Sequence, residues 1–539
     1  MMNWRIYLLL FVLVLAIAIG IASFQSLPGY LDSDYYFAGG LQLVEGKGFT
    51  EPYLWNYLDD PAGLPHPSHT YWLQLSSIVA AISMFVTGQR TYVGARVIFI
   101  LITACIPPLT ARLALDITGR RDLSLTSGLL AVFTIYHAPF LPVTDNFGPF
   151  ILFGGLIFLL AKKEQWWSFL LVGLLAGLLN LARSDGLLWL GLAGLLTLWK
   201  AIASVKNSPS RPGNTQHALR ITHYVLRITH YVLRTFAITL LGYILIMAPW
   251  YARNISVFGS PMAPGGSRIL WLTNYNDTFA FPADKVNLQA WLDTGWKAAL
   301  DVRLWALRMN LLNAFGAQGG ILLFPFILIG IWALRKELRV KLAITGWLIL
   351  LVVMTLVFPL AGARGGFFHA GVAFQPLWWA LAPLGLSRMV DALYRRKVLT
   401  AEHAGAVFQG LLVAICVLLT GIIVQLRILQ PGWQPGEELY MRVEQLLVEQ
   451  GAKPDEIVIV RNPPGYYIVS GRSAIVMPPG GPDTLLAVAA HYDASYFVLE
   501  SDGVLEEYQD TYEKFEGNPG LEYLGEVDGA RVYALHPAE

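Results

Sequence analysis

The stretch IYLLLFVLVLAIAIGIASF at residues 6–24 contains no charged residue and directly follows Arg5. An α-helix needs about 20 mainly apolar residues to cross the hydrocarbon core of a bilayer. A cleaved signal peptide is the alternative, but this stretch is long for such a peptide and ends in Phe-Gln-Ser-Leu-Pro, without a small-residue cleavage site. We therefore predict a first helix that stays in the membrane.

The whole chain shares this apolar character. Of its 539 residues, 55% are hydrophobic and 14% are charged, whereas soluble domains carry about 25% charged residues. So few charges cannot give several soluble domains a polar surface, and the two cysteines exclude a disulfide-rich scaffold. The composition indicates a polytopic α-helical membrane protein.

Hydropathy predicts about eleven membrane-spanning helices. After residues 6–24, the apolar stretches lie at 96–115, 122–141, 146–161, 166–182, 186–200, 235–250, 321–334, 342–360, 369–390 and 404–427. Residues 71–87 are apolar but short, so they either cross the membrane or lie at its interface. We favour the interface, because the charge pattern of the chain then agrees with the positive-inside rule.

The main basic clusters set the predicted orientation. If 71–87 does not cross, these clusters fall on one side, which the positive-inside rule makes cytoplasmic. The N-terminus and a basic loop at 200–234 are then cytoplasmic. A first outer loop at 25–95, a large outer loop at 251–320 and the C-terminus are extracytoplasmic.

Residues 431–539 differ in charge from the rest of the chain. They hold 19 Asp and Glu against 6 Lys and Arg, a net charge of −13, whereas the remainder holds 18 against 32, a net charge of +14. Short apolar runs between helical patterns predict a small α/β domain here, separate from a membrane domain at 1–430. The basic excess suits membrane lipids, and we predict no nucleic-acid partner.

Two carboxylates follow the first predicted span, in the sequence PGYLDSDYY at residues 28–36. Asp32 and Asp34 lie where a carboxylate can take a proton from a hydroxyl or bind a divalent cation. A solvated acidic start to the loop is the alternative, because Asp-x-Asp is a weak pattern. Further along this loop, His66 and His69 are either metal ligands or part of a polar entry into an interfacial helix.

Charged residues also occur at other predicted outer helix ends. They are Asp145, Arg183, Arg364 and His369. A charge at a membrane edge is costly unless it faces a cavity or a partner, and guanidinium groups pair well with phosphates. The alternative is that these side chains reach past the membrane edge into water.

Together these features resemble the GT-C glycosyltransferases of the family 39 type, which include protein O-mannosyltransferases and lipid A aminoarabinose transferases. The similar motifs, over roughly residues 1–400, are Asp32-Ser-Asp34-Tyr-Tyr, Glu45–Phe49, His66–Trp72, Gly119-Arg-Arg121, Ala182–Gly186 and Pro249–Tyr251. The chain departs from the family at Ser33, where relatives usually have Glu, and at Arg183, where they have Lys.

The resemblance implies a GT-C-like bundle of about 11 transmembrane helices, with interfacial helices in the first outer loop. It implies transfer of a sugar from a polyprenyl-phosphate donor to a hydroxyl of a protein, lipid or glycan acceptor, at the outer face and with inversion. Asp32 is the expected base, with Asp34 as second choice. Arg183, Arg364 and His369 are candidates for the donor phosphate. Candidates for contacting the sugar or acceptor, or for orienting other groups, are Asp145, His66, His69 and Tyr35. The use of a divalent cation is left open.

Two other classes of function share some of these features. A transporter or flippase for a lipid-linked saccharide would have the same spans and basic groups, but it would not need an outer carboxylate. Transporters often contain inverted repeats, and the sequence shows no such internal symmetry. A membrane scaffold that presents residues 431–539 to a partner is the third possibility.

Overall fold

The computed structural model describes residues 3–206, 217–398, 403–430 and 432–537, and most of these residues are helical. The α-helices of the first half are α1 (Trp4–Ala22), α2 (Leu31–Val44), α3 (Leu75–Thr87), α4 (Tyr92–Thr118), α5 (Arg121–Val132), α6 (Phe147–Leu160), α7 (Trp166–Ala182), α8 (Leu187–Lys206) and α9 (His217–Phe258). Those that follow, up to residue 430, are α10 (Gly265–Arg268), α11 (Leu288–Asp293), α12 (Gly295–Asn313), α13 (Phe324–Ala333), α14 (Leu338–Val352), α15 (Pro359–Ala361), α16 (Phe367–Gly371), α17 (Gln375–Arg395) and α18 (Ala404–Val424).

Six helical segments in the described part of the chain are long and apolar enough to cross a membrane. They are Trp4–Ala22, Tyr92–Thr118, Ser184–Ser204, Val225–Phe258, Leu338–Val357 and Ala404–Leu429. Four shorter apolar helices accompany them, namely α3, α6, α7 and α13. The protein is therefore a membrane protein. Each predicted apolar stretch contains a helix, but the count of eleven spans and the position of 71–87 stay predictions.

Two segments predicted as loops are largely helical. In the basic segment 200–234, α8 continues to Lys206 and α9 already begins at His217, while residues 207–216 lie outside the described residues. In the large outer loop 251–320, α9 continues to Phe258 and the helices α10, α11 and α12 follow. We expected loops here because these segments lie between the predicted spans, but charged residues also form helices with an amphipathic pattern.

Glycines allow the membrane helices to pack closely. A Cβ atom added to Gly173 of α7 would lie 1.9 Å from the carbonyl oxygen of Thr239 in α9. On the facing helix, a Cβ added to Gly242 would lie 2.3 Å from the carbonyl oxygen of Leu170. Small residues at such interfaces let two backbones approach each other, which is how membrane helices gain packing energy.

A mixed sheet joins the first outer loop to the C-terminal region. The strands are β1 (Thr50–Glu51), β2 (Tyr53–Leu54), β3 (His66–Pro67), β4 (Ile457–Val460), β5 (Ala474–Val476), β6 (Ala494–Leu499), β7 (Leu521–Val527) and β8 (Ala530–Leu535). Six of them form one sheet in the order β2-β5-β4-β6-β8-β7, and β1 pairs with β3. The edge strand β2 belongs to the first loop and runs parallel to β5.

Helices pack against this sheet. They are α19 (Pro435–Glu449), α20 (Pro463–Ser470), α21 (Gly481–Tyr492) and α22 (Gln509–Glu513). Asn462 is the N-cap of α20, and its side chain accepts from the Gly465 N–H. Two prolines in the first turn suit a helix start, because the N–H groups that they lack have no intrahelical partner there. The domain division at residue 430 stays a prediction.

The Gly173 contact predicts a stability difference between two similar substitutions. Gly173→Ala should destabilise the protein by about 1–3 kcal/mol, because the new methyl group would overlap the Thr239 backbone. Gly191→Ala in α8 is the control, since a Cβ there would meet nothing within 4 Å. Thermal unfolding in detergent should show a lower midpoint for Gly173→Ala only, and equal midpoints would contradict this packing.

Candidate active site

Three side chains from distant parts of the sequence meet at one point. Asp32 lies in the first turn of α2, Asp145 directly precedes α6, and His369 lies on the short helix α16. One potential ligand atom from each lies within 4.8 Å of the others, and Asp32 Oδ2 is 3.7 Å from His369 Nε2. The structure thus brings together three of the residues that the sequence singled out.

The position of Asp32 follows from the helix that carries it. The first turn of a helix exposes unpaired N–H groups with partial positive charge, which favours a carboxylate. Next to Asp32, Ser33 is tied to the turn that holds Asp145. The Thr144 hydroxyl donates to the Ser33 carbonyl (2.9 Å), and the two hydroxyl oxygens are 3.0 Å apart. These contacts fix α2 beside the Asp145 turn.

Asp145 is held by neighbours that sequence analysis did not select. The Tyr30 hydroxyl donates to Asp145 Oδ2 at 2.5 Å. Beside it, Asn146 donates to the Tyr36 hydroxyl (2.6 Å) and accepts from the Ser76 hydroxyl (2.6 Å). In the sequence, Tyr30 lies just before Asp32, and Asn146 directly follows Asp145. This closeness to the predicted carboxylates was the signal that could have identified them.

Burial shapes the protonation of both carboxylates. Burial, followed by the charge of the neighbouring Asp145, raises the pKa of Asp32 to about 7, although the Arg183 guanidinium acts to lower it. Burial also raises the pKa of Asp145, while the hydrogen bond from Tyr30 lowers it. The Asp32 side chain is still 25% exposed, so a proton acceptor that titrates near neutrality is open to a substrate.

A guanidinium group lies beside this cluster. Arg183 donates to Asp185 through Nε (3.2 and 3.1 Å) and through a second nitrogen (2.7 Å). The pair is mostly buried, with 15% and 11% of the side chains exposed. Two parallel N–H donors hold the guanidinium in a defined orientation, and its charge acts on both Asp32 and Asp145.

Two tyrosines lie close enough to Asp32 to be influenced by its charge. The Arg364 guanidinium lies over the Tyr275 ring, 5.2 Å from its centroid. Burial raises the pKa of the Tyr275 phenol, Asp32 raises it further, and Arg364 lowers it. Tyr71 is partly buried, and the charges of Arg183 and Asp32 also act on its phenol. No sequence signal pointed to Tyr275, which lies far from every motif in the chain.

Asp34 has a different environment from Asp32. Two residues along an α-helix rotate the side chain by about 200°, so Asp34 faces away from His369. Its carboxylate is fully buried and accepts a hydrogen bond from Asn462 Nδ2 (2.7 Å). It also lies beside Glu437, and burial followed by the Glu437 charge raises its pKa. Asp34 thus contacts the C-terminal region.

The other candidates from the first loop form a separate buried cluster. His66 lies between Glu51 (3.1 Å) and Asp59 (3.8 Å). His69 lies between the Ser68 and Ser77 hydroxyls (2.7 and 2.9 Å), and burial lowers its pKa to about 3. The Tyr35 hydroxyl accepts from the His69 backbone N–H (2.9 Å). These contacts hold the first loop together.

No protein-family model and no curated protein matches the sequence. Solved structures do match. The Archaeoglobus fulgidus oligosaccharyltransferase shares 12% sequence identity at a TM-score of 0.52, over 94% of this chain and 70% of its own. ArnT from Cupriavidus metallidurans shares 13% identity at a TM-score of 0.50, over 97% of each chain. These proteins were also solved with Zn and sulfate (TM-score 0.51) and with undecaprenyl phosphate (TM-score 0.50), respectively.

Identities this low establish the fold alone. Both neighbours are glycosyltransferases with the GT-C fold, and the match to ArnT extends over nearly the whole of both chains. The predicted fold class is confirmed at this level: the chain is a membrane protein with the GT-C fold.

Proposed function

We propose that the protein is a membrane glycosyltransferase that moves a sugar from a polyprenyl-phosphate donor to an acceptor hydroxyl at the outer face. One observation carries this proposal: a partly exposed carboxylate, Asp32, lies with Asp145, His369 and Arg183 at one point of a GT-C fold. The solved complex of ArnT with undecaprenyl phosphate supports the class of donor.

In the proposed reaction, the acceptor oxygen attacks the anomeric carbon from the face opposite the phosphate. The bond between the anomeric carbon and the phosphate oxygen breaks, so the configuration inverts. Asp32 takes the proton of the acceptor hydroxyl. A base with a pKa near the working pH is well suited to this task, and such assistance contributes about 10²–10⁴-fold to a rate. Asp32 is our choice over Asp34, which lies buried against Asn462.

The leaving group is a phosphate, which departs as a stable anion and needs cationic groups more than a proton donor. Arg183 is held ready by Asp185, and Arg364 is exposed and stacked on Tyr275. We assign both arginines, with His369, to the donor phosphate. Fixed charges of this kind stabilise developing charge without reorganisation.

The Asp32 cluster also fits a divalent cation. Two carboxylates and an imidazole are a common set of ligands for Zn²⁺ and Mn²⁺, and His369 Nδ1 is buried without a hydrogen-bond partner. The oligosaccharyltransferase with this fold was solved with Zn and sulfate. Asp32, Asp145 and His369 would hold the ion, and a bound cation would supply positive charge beside the phosphate, so that His369 would serve the phosphate through the ion.

The remaining assignments complete this proposal. The N-terminus is cytoplasmic, and residues 431–539 are extracytoplasmic together with the reaction centre. Asp145 orients the neighbouring groups, since it accepts from Tyr30. His66, His69 and Tyr35 shape the first loop from within, and through it they shape the acceptor side of the site. The acceptor is a protein, a lipid or a glycan.

Substitution of the proposed base tests the function. With purified protein in detergent and polyprenyl-phosphate sugars, Asp32→Asn should lower turnover by about 10²–10⁴-fold while donor binding persists. Asp34→Asn should lower it far less. The measurement is sugar transfer or release, with donor binding determined separately. If wild type and both variants bind the donor but turn over none of several sugars and acceptors, the result would favour a transporter or flippase instead.

The cation proposal has its own test. Calorimetric titration of the purified protein with Mn²⁺ and Zn²⁺ should show one saturable site. Asp145→Asn should weaken this site by at least tenfold, because a ligand to the ion is lost. Asp284→Asn, at an exposed carboxylate in the large outer loop, is the matched control. A lack of saturable binding, or equal affinity in both variants, would contradict the cation site.

The arginine assignment predicts an effect on donor recognition. Arg183→Lys keeps the charge but loses the paired contact with Asp185, so the KM for the donor should rise about tenfold. Arg335→Lys is the control, because Arg335 lies in a basic cluster predicted to be cytoplasmic. Initial rates against donor concentration measure both values. An unchanged KM in Arg183→Lys would remove this residue from the phosphate site.

A further inference from the structure

The C-terminal region binds the chain segment that leads into α2. Gln434 Oε1 accepts from the Leu27 backbone N–H (2.9 Å), and Glu437 Oε1 accepts from the Gly29 backbone N–H (2.6 Å). Between them, Trp433 Nε1 donates to the Pro28 carbonyl (2.8 Å). Three side chains near the start of α19 therefore satisfy the backbone directly before the helix that carries Asp32.

Trp433 also reaches the reaction centre through one aromatic residue. Its ring packs edge-on against Tyr30 at a centroid distance of 6.0 Å, and the Tyr30 hydroxyl donates to Asp145. Gly29 makes room for this arrangement, because a Cβ there would lie 2.3 Å from Trp433 Nε1. Its φ of +86° is also one that residues with a side chain rarely adopt. The C-terminal region and Asp145 are thus two contacts apart.

A third contact lies within α2 itself. Asn462 uses its two side-chain atoms differently: Oδ1 caps α20 by accepting from the Gly465 N–H (3.1 Å), and Nδ2 donates to Asp34 (2.7 Å). At the far end of α2, Gln42 donates to the Tyr467 hydroxyl (2.7 Å). The C-terminal region therefore holds α2 at its start, in its first turns and near its end.

The position of α2 must be fixed by contacts with the rest of the protein, because this helix carries Asp32. It is not among the helices long and apolar enough to cross a membrane in the described part of the chain, and its side chains and backbone contact the Asp145 turn and the C-terminal region. A reaction centre works only when its groups are held to a fraction of an ångström, and a displacement of about 1 Å can cost 10²-fold in rate.

We propose that residues 433–467 are a positioning element of the reaction centre, in which Trp433, Glu437 and Asn462 hold α2 so that Asp32 and Asp145 face the substrate. This inference rests on the proposed function. None of the three residues touches a reacting atom, so they are positioning residues. The C-terminal region is then required for turnover, and not only for binding an acceptor.

The first test distinguishes the loss of the contact with Asp34 from a general loss of stability in the C-terminal region. Asn462→Ser keeps an oxygen to cap α20 but removes the amide nitrogen that donates to Asp34. We expect kcat to fall about tenfold to a hundredfold, with the donor KM changed by less than about twofold. Tyr533→Phe is the matched control. It removes one buried hydrogen bond, to the Thr511 carbonyl (3.1 Å), from within the C-terminal sheet, and its kcat should be unchanged.

A pair of substitutions at Glu437 tests the contact with Gly29. Glu437→Gln keeps the oxygen that accepts from the Gly29 N–H, so its kcat should stay within about threefold of wild type. Glu437→Ala loses this oxygen and should lose kcat about as Asn462→Ser does. If Glu437 served only in folding, Glu437→Ala would lower the melting temperature of the full chain. The kcat values of the two variants would then be equal.

Hydrogen exchange gives a result that does not depend on activity. Mass spectrometry of the full chain in detergent should show faster exchange at residues 27–34 in Glu437→Ala, and wild-type exchange there in Glu437→Gln and Tyr533→Phe. Exchange and kcat unchanged in Glu437→Ala and Asn462→Ser, or an equal loss of kcat in Tyr533→Phe, would overturn the positioning role. A wild-type protein without transferase activity would overturn the proposed function instead, and the exchange result would still decide the positioning role.

Discussion

The arrangement of the reaction centre follows from the cost of placing two carboxylates side by side in a buried site at the end of membrane helices. A carboxylate removed from water is stable only when donors or positive charges surround it, or when it takes up a proton. Asp32 and Asp145 therefore need the groups found around them: the Tyr30 hydroxyl, the Arg183 guanidinium and the His369 ring. Arg183 in turn is oriented by Asp185.

These groups come from separate helices, and the rest of the fold holds those helices in place. On the membrane side, glycines such as Gly173 bring α7 and α9 into backbone contact. On the other side, α2 is a short helix tied to the Asp145 turn by Thr144 and to the C-terminal region by Asn462. The strand β2 extends the C-terminal sheet with residues of the first loop. The position of Asp32 thus depends on the membrane helices and on the C-terminal region together.

The sequence predicted the parts of this structure that depend on local composition. Apolar stretches indicated the helices, and isolated charges near the ends of these stretches indicated Asp145, Arg183 and His369. The family resemblance favoured Asp32 over Asp34, but local composition alone could not separate the two, because their different surroundings depend on the rotation of α2, and the acidic motif was taken for a loop. Tyr275 and the pairing of Tyr53 with Ala474 were also missed. Such contacts between distant segments leave no periodic pattern in one sequence.

The charges around the candidate active site bear on how the proposed anionic donor would approach. Asp32, Asp145 and Asp185 would together carry three negative charges when ionised, and Arg183 carries one positive charge beside them. A lipid phosphate near this surplus would be repelled, because Coulomb interactions are strong where water is partly excluded. A proton on Asp32, whose pKa lies about 7, removes one of these charges but also removes the base. A divalent cation held by Asp32, Asp145 and His369 would balance this surplus of negative charge. The charge balance therefore agrees with the proposed cation site, and the exposed Arg364 adds a further positive charge.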